Sequence, residues 1–224
     1  MATREASMSR YLVFYDLDRT ILNNSSGRLF IKYSYDRNLV SHRELLYGLY
    51  ASFMHRLGFL DAEKILRKLV QKYKGLPEQR LLSFSRDFFS DVVVHHIRKG
   101  APDEIRYHRE RSAKNVMLSA SMSFICDPVK EYLGLDDVLC TSLEVHNGFL
   151  TGRISGAYCY GMEKLRRAVS YCREENVPLE SAYYYADARA DLPVLSAVGN
   201  PVCVSPDRFL RNHALKRGWP VRNW

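Results

Sequence analysis

The chain has 224 residues, which suits one domain or one domain with a sizeable insertion. With 46% apolar and 26% charged residues, its composition is that of a soluble globular protein able to bury a core. No apolar run approaches the roughly 20 residues that cross a bilayer, and residues 1–10 lack the pattern of a signal peptide, so we expect a cytoplasmic protein without a membrane span. The net charge of +8 favours anionic partners such as phosphorylated metabolites, acidic membrane surfaces or nucleic acid.

Five short segments have the apolar character of strands. They are mostly continuous rather than alternating, which is typical of strands covered on both faces of a parallel sheet. In chain order they are residues 11–15, 116–118, 138–140, 182–186 and 202–204. Segments with helical spacing, residues 126–133 and 163–175, separate the later strands. This alternation predicts an α/β fold with a doubly wound parallel sheet.

The stretch between the first two strands is different, because its apolar residues follow helical spacing. Residues 43–57 place an apolar stripe on one helix, residues 62–73 do so on a second, and Pro77 opens a third. The stripe of the first helix consists of Leu45, Leu46, Leu49, Phe53, Met54 and Leu57. We therefore predict a helical cap over residues 23–104, inserted into a discontinuous core of residues 1–22 and 105–224. Residues 144–154 predict a β-hairpin that turns at Asn147-Gly148.

Polar residues follow the predicted strands at one edge of the sheet, where open α/β sheets bind ligands. They are Asp16, Asp18 and Thr20 after the first strand, Ser119 at the end of the second, Lys164 at the start of a helix, and Asp187 and Asp191 after the fourth strand. Four crowded carboxylates repel one another unless a cation compensates, and Mg²⁺ is a hard cation that takes oxygen ligands. A Mg²⁺ site beside a lysine and a serine hydroxyl suits a phosphate group.

This set of residues predicts a covalent reaction. Asp16 would attack phosphorus and form an aspartyl-phosphate. Asp18, two residues later, would protonate the leaving oxygen and then activate the water that clears the intermediate. Taken singly, each signal also has a plainer structural explanation, since Asp16, Thr20 and Ser119 are of types that cap helices.

The motifs DLDRT, the serine of LSAS, the lysine of GMEK and the D-x-x-x-D of ADARAD resemble, in order, the four motifs of the haloacid dehalogenase superfamily. The helical insert and stretches such as TGRI and GNPV make the chain similar to the phosphoserine-phosphatase-like branch. The resemblance implies a Mg²⁺-dependent phosphatase with a Rossmann-like core and a mobile cap.

The resemblance also implies a role for each residue. Asp16 is the nucleophile, and Asp18 is the acid and base and lends its backbone carbonyl to Mg²⁺. Thr20 and Ser119 hold phosphate, and Lys164 neutralises it. Asp187 ligates the metal, while Asp191 supports the metal or fixes Lys164.

One motif departs from the family pattern. Relatives of this kind read G-D-S at the fourth motif, where this chain has Ala186-Asp187-Ala188. Every charged position remains, so we predict an active phosphatase of a small phosphorylated metabolite, with no nucleic acid as partner. The alternatives are a vestigial member that binds a phosphorylated ligand or an acidic surface, and a phosphotransferase with an acceptor other than water. The oligomeric state is not predicted.

Three further patterns indicate structure rather than chemistry. The five cysteines show no CxxC pairing, so we expect reduced thiols in the core and neither a disulfide framework nor a zinc site. His95-His96 has no third ligand spaced to join it, which favours a structural or solvent role. The basic residues opposite the apolar stripe of the second cap helix predict a solvated face; they are Lys64, Arg67, Lys68, Lys72 and Lys74.

Overall fold

A computed structural model describes residues 11–56 and 62–224, with side chains described outside residues 51–62. Its strands are β1 Leu12–Tyr15, β2 Lys114–Met122, β3 Asp137–His146, β4 Phe149–Ser155, β5 Tyr183–Ala186, β6 Asn200–Val204 and β7 Val221–Arg222. They form a seven-stranded sheet in the order β4-β3-β2-β1-β5-β6-β7. The β3–β4 pair is antiparallel and the other neighbours are parallel. The predicted α/β fold is confirmed.

The helices are α1 Ser26–Asp36, α2 His42–Arg56, α3 Ala62–Val70, α4 Glu78–Asp91, α5 Gly100–Arg109, α6 Ser123–Leu133, α7 Met162–Glu174, α8 Leu192–Leu195 and α9 Arg208–Arg217. The sequence predicted α2, α3, α4, α6 and α7 to within a few residues. Helices α1, α5, α8 and α9 were not predicted. The hairpin of β3 and β4 turns at Asn147 (φ 50°) and Gly148 (φ 78°), as expected.

Both faces of the sheet are buried, which explains why β1 is continuously apolar. Val13 and Tyr15 belong to a hydrophobic cluster with residues of α4, α5 and α6. Leu12 and Phe14 belong to a second cluster with residues of α7, α8 and α9. Since successive side chains of a strand point to opposite faces, every residue of β1 is covered by one layer of helices or the other.

The segment between β1 and β2 forms hydrogen bonds with β4 and with α6. Gly75 N–H donates to the Leu150 carbonyl at 2.8 Å, and Leu150 N–H donates back to the Leu76 carbonyl at 2.9 Å. The Ser85 hydroxyl of α4 donates to the Phe124 carbonyl of α6. The predicted boundary between residues 104 and 105 falls inside α5. The division into a core and a cap of residues 23–104 remains a prediction.

Two local predictions need correction. Strand β2 continues to Met122 instead of ending at Leu118, so Ser119 lies within the strand. The pairing of β2 with β3 shifts register between Leu118 and Met122. The residues between them are small and lack the apolar pattern of a strand, so the sequence did not predict this part of β2. In the described part of the apolar stripe of α2, Leu45 and Leu49 are half-buried and Leu46 is 54% exposed, while the side chains of Phe53 and Met54 lie outside the described ones. Leu57 lies outside the described residues.

Other structural predictions agree with the fold. All five cysteines are free and buried, and the predicted basic face of α3 and the following turn is exposed. His96 lies in a short turn, where its Nδ1 is 2.7 Å from the side-chain oxygen of Asn23. No helix within residues 11–56 and 62–224 combines the length and apolar character needed to cross a membrane.

The buried His108 of α5 contacts two tyrosine hydroxyls. His108 Nε2 lies 2.7 Å from the Tyr185 hydroxyl, and His108 Nδ1 lies 2.9 Å from the Tyr11 hydroxyl. Because the Tyr185 hydroxyl donates to Glu104 at 2.6 Å, Nε2 must carry the proton that it donates to Tyr185. Burial lowers the pKa of His108 and so favours the neutral ring, in which Nδ1 accepts from Tyr11.

We expect this histidine to make the fold less stable in mild acid. Burial lowers the pKa of His108 below its ordinary value of 6.5, although Glu104 opposes this effect. As the pH falls, His108 therefore becomes protonated near pH 6.5 in the unfolded chain but only at lower pH in the folded chain. The contribution of His108 to the free energy of unfolding is complete above about pH 6.5 and decreases below it. Urea unfolding between pH 8 and pH 5 should show a smaller loss of stability for His108→Gln than for the wild type. Parallel curves for the two proteins would contradict this prediction.

Candidate active site

The predicted site residues meet at the carboxyl ends of β1, β2 and β5. Asp16 follows β1, and its backbone N–H donates to the Tyr185 carbonyl of β5 at 2.9 Å. The strand order reverses at β1, which is the position where open α/β sheets form a ligand crevice. The buried members of the predicted set are Asp16, Thr20, Ser119, Lys164, Asp187 and Asp191.

Lys164 joins two of the buried carboxylates. Its ammonium donates to Asp16 Oδ1 at 2.7 Å and to Asp191 Oδ1 at 2.6 Å, although 148 residues separate Lys164 from Asp16. Burial alone would lower the pKa of Lys164, but Asp16 and Asp191 together hold it well above its ordinary value. Lys164 is therefore a permanent positive charge at this edge of the sheet.

Asp187 completes a group of three carboxylates. Asp16, Asp187 and Asp191 each offer an oxygen, and these atoms lie within 4.8 Å of one another. Within the described part of the chain, no hydrogen bond or ion pair reaches the Asp187 side chain. Burial, and then the neighbouring Asp16 and Asp191, raise the pKa of Asp187 well above its ordinary range, although Arg19 and Lys164 oppose this. One ammonium bonds two of the three buried carboxylates, and Arg19 and Arg98 act on Asp187 electrostatically; the three carboxylate oxygens form a donor set that fits a divalent cation.

The Asp16 carboxyl shows the same deficit of positive charge. Burial raises the pKa of Asp16 to about 7, with Lys164 opposing the shift and Asp191 and Asp18 adding to it. An aspartate must be ionised to act as a nucleophile. A cation in the carboxylate group would favour that ionised form by the same electrostatic rule.

Asp18 is held apart from the three clustered carboxylates. The first residue of α1, Ser26, donates its backbone N–H to Asp18 Oδ1 at 2.8 Å. The Ser26 hydroxyl also lies 2.8 Å from the hydroxyl of Ser121. Burial raises the pKa of Asp18, while the hydrogen bond from Ser26 opposes this. A carboxyl with a raised pKa and a fixed orientation is suited to proton transfer.

Two buried hydroxyls are available as donors. Thr20 Oγ1 has no hydrogen-bond partner among the described residues, although it is fully buried. Ser119 Oγ accepts the backbone N–H of Ser121 at 3.1 Å, and no acceptor for its own hydrogen is found in residues 11–56 or 62–224. An unsatisfied buried hydroxyl is costly, so these two positions fit an anion that would accept their hydrogens.

The altered fourth motif does not strain the backbone. Ala186 lies in the extended strand β5, and Ala188 has φ −124° and ψ 158°. Neither alanine has the positive φ that favours glycine. The structure therefore shows no conformational reason why alanine should disturb Asp187.

Two contributors to the site were missed from the sequence. Ser26 orients Asp18 through the start of α1, a helix that carries no strong sequence signal. Tyr184 contacts Lys164 and Asp191 with its hydroxyl. The signal for Tyr184 was present, since a tyrosine inside a fully buried strand needs a partner for its hydroxyl.

Known proteins resemble this chain over almost its whole length. The family model described as haloacid dehalogenase-like hydrolase matches residues 13–196. A probable phosphatase of Mycobacterium tuberculosis is 34% identical over 219 residues, covering 96% of this chain and 76% of the relative. A histidinol-phosphatase of Neisseria meningitidis is 28% identical over 223 residues, covering 95% of this chain and 98% of the relative.

A solved structure shares the fold. The phospho-aspartyl intermediate analogue of a phosphoserine phosphatase superposes with a TM-score of 0.70 at 20% identity. The match covers 96% of this chain and 93% of that structure. The inserted helices are therefore part of the shared architecture, since the match leaves little of either chain outside it.

Proposed function

The chain belongs to the haloacid dehalogenase-like hydrolase family and is an enzyme of the phosphatase type, and we propose that it hydrolyses a small phosphomonoester with Mg²⁺ through an aspartyl-phosphate on Asp16. The observation that carries the proposal is the buried group of Asp16, Asp187 and Asp191 with Lys164 bound to two of its three members. Two hydroxyls that lack acceptors support it, because phosphoryl oxygens accept hydrogen bonds.

Asp16 and Asp187 would hold the metal, with the backbone carbonyl of Asp18 as a further ligand and Asp191 as a ligand or as support. Asp187 is the strongest candidate ligand because, of the three carboxylates, it is the one that accepts no hydrogen bond from Lys164. A bound Mg²⁺ would supply positive charge that offsets the carboxylates and polarises the phosphoryl group.

The first half-reaction uses two carboxyl groups in opposite states. The ionised Asp16 oxygen attacks phosphorus, and the bond from phosphorus to the ester oxygen breaks. Asp18, whose pKa is raised by burial, gives its proton to the departing oxygen. Thr20 and Ser119 would donate to the phosphoryl oxygens, and Lys164 would offset their charge.

The second half-reaction restores the enzyme. Asp18, now ionised, accepts a proton from water while the water oxygen attacks phosphorus. The bond between phosphorus and Asp16 breaks, which releases inorganic phosphate and returns Asp16 as a carboxylate. Because the backbone N–H of Ser26 fixes Asp18, the same group can serve in both steps without rearranging.

We propose a small phosphorylated metabolite as the substrate and the cytoplasm as the location. The named relatives include a histidinol-phosphatase, and phosphoserine phosphatases share the fold. The substrates in these names, histidinol phosphate and phosphoserine, are both small phosphomonoesters. Five free thiols fit a reducing compartment.

The experiment that tests the function is a screen of phosphorylated metabolites with Mg²⁺ and with EDTA. We expect phosphate release from at least one small phosphomonoester, with Mg²⁺ only. Binding without release would favour the vestigial alternative instead. Phosphate transfer to an added alcohol, with no release in water, would favour the phosphotransferase alternative.

We expect phosphoserine to be a poor substrate. Phosphoserine phosphatases of the resembling branch place a glutamate shortly after the first motif to meet the ammonium, whereas here no acidic residue occurs between Asp18 and Asp36. A buried ammonium without a carboxylate partner carries a desolvation penalty of roughly several kcal/mol. The kcat/KM for phosphoserine should therefore be lower than for 3-phosphonooxypropanoate, which lacks only the ammonium. The prediction is wrong if phosphoserine leads a panel of sugar, alcohol and aryl phosphates.

A further inference from the structure

A fully buried tyrosine contacts the charged centre of the site. The Tyr184 hydroxyl donates to Asp191 Oδ1 at 2.6 Å, and the Lys164 ammonium donates to the Tyr184 oxygen at 3.2 Å. Since Lys164 also donates to Asp191 Oδ1 at 2.6 Å, the three side chains form a closed triangle of hydrogen bonds. Tyr184 is 0% exposed, so its hydroxyl has no contact with bulk water.

Lys164 contacts three acceptors, two of which belong to the triangle. An ammonium has three N–H donors and no acceptor, and its acceptors here are Asp16, Asp191 and Tyr184. A lysine side chain has many rotamers, and the acceptors Asp16 and Asp191, the latter bonded in turn to Tyr184, reduce the number available to Lys164. Asp191 Oδ1 accepts from both Lys164 and Tyr184, which fixes the direction of its carboxylate.

Packing alone does not require the hydroxyl. A phenylalanine at this position of β5 would fill the same space, whereas a buried phenol costs free energy unless its hydroxyl is bonded. The neighbouring Tyr185 points to the opposite face of the sheet, where it bonds Glu104 and His108. The two buried tyrosines of β5 therefore bond different polar groups, and only the groups bonded by Tyr184 belong to the proposed active site.

We infer that Tyr184 is a positioning residue, which sets the place of the Lys164 ammonium and, through it, the alignment of Asp16 for attack on phosphorus. The inference rests on the proposed phosphatase function. Asp16 Oδ1 is bonded to Lys164 at 2.7 Å, so a displaced ammonium displaces or releases the nucleophile. Misplacement of a reacting group by about 1 Å can cost about 10²-fold in rate.

The test compares Tyr184→Phe with Tyr185→Phe, since each removes one buried hydroxyl from the same strand. With Mg²⁺ and an aryl phosphate, Tyr184→Phe should lower kcat by about tenfold and change KM by less than about twofold, because the alignment of Asp16 matters most in the transition state. Tyr185→Phe should lower the urea midpoint but keep kcat per folded molecule. Equal kcat for Tyr184→Phe and the wild type would overturn the inference, as would equal losses in both variants.

A second pair keeps the test decisive if Tyr184→Phe does not fold. Tyr184→Gln retains a carbonyl acceptor and an NH2 group with two donors, and Tyr184→Met has a similar size with neither strong group. Per folded molecule, the glutamine variant should keep a higher kcat than the methionine variant, and equal values would overturn the inference. An inactive wild type would overturn the proposed function and this inference together, whereas an active wild type with an unchanged Tyr184→Phe would overturn this inference alone.

Discussion

Asp16→Asn is expected to lower phosphatase turnover by about 10³-fold or more, because an amide oxygen cannot replace an ionised carboxylate as the attacking group. The shape of the side chain is kept, and the amide oxygen can still accept the Lys164 hydrogen bond that Asp16 Oδ1 accepts at 2.7 Å. Hydrolysis of an aryl phosphate in the presence of Mg²⁺ measures the loss. Equal rates for the two proteins would rule out the aspartyl-phosphate on Asp16.

The same substitution should not destabilise the fold in the absence of metal. Burial raises the pKa of Asp16 to about 7, so the folded chain holds a proton that the unfolded chain releases at lower pH. The contribution of Asp16 to stability therefore falls as the pH rises from the ordinary aspartate value towards 7, and asparagine lacks this loss. In EDTA at pH 8, Asp16→Asn should unfold at a urea concentration at least as high as the wild type.

A matched control is available in the helical insert. Asp91 accepts hydrogen bonds from Tyr33 and Arg37 at a half-exposed position that takes no part in the site. Asp91→Asn makes the same chemical change there, so it should keep the wild-type kcat. A comparable loss of turnover in both variants would indicate a general defect of folding instead of a lost nucleophile.

Removal of Mg²⁺ is expected to abolish turnover and to lower the melting temperature. Without the cation, Asp16, Asp187 and Asp191 repel one another in a buried site, and a ligand that binds only the folded state stabilises it by about 2.7 kcal/mol at 100 times its Kd. Thermal unfolding with EDTA and with increasing Mg²⁺ measures the shift. In Asp187→Asn the shift should shrink, because the carboxylate with no described protein partner is the one removed.

Asp18→Asn separates metal binding from proton transfer. Its side chain is bonded to Ser26 and lies outside the group of three carboxylates, and its proposed metal contact is the backbone carbonyl. We expect Asp18→Asn to lose turnover and to keep the Mg²⁺-dependent thermal shift. A full shift in Asp187→Asn would remove Asp187 from the ligand set, and a lost shift in Asp18→Asn would place the Asp18 side chain in it.

The proximity of several candidate site residues could be predicted because the carboxyl ends of parallel strands lie at the same edge of the sheet. Asp16 and Asp187 each follow a continuous apolar segment, and the carboxyl ends of parallel strands lie at one edge. Their proximity therefore followed from the strand pattern alone. The proposed chemistry was inferred from residue type, since clustered carboxylates with one lysine and hydroxyls suit a cation and a phosphate.

The helices α1 and α5 could not be predicted in the same way. Residues 26–36 begin with small polar residues, and only Tyr33 among the apolar side chains of α1 is fully buried. Helix α1 packs Phe30 and Tyr33 against the aromatic rings of Phe84 and Phe88. Contacts between residues about 50 positions apart are not visible in local periodicity.

The sequence by itself determined the fold class, the edge of the sheet that carries the site and the residue types that meet there. These depend on strand periodicity and on the chemistry of the side chains, both of which are local properties. Only the tertiary structure decided which charges pair: Lys164 forms ion pairs with Asp16 and Asp191 and none with Asp187. It also decided that Ser26 donates to Asp18 and that Tyr184 contacts Lys164. Hydrogen bonds depend on distances of a few tenths of an ångström, and no spacing along the chain encodes them.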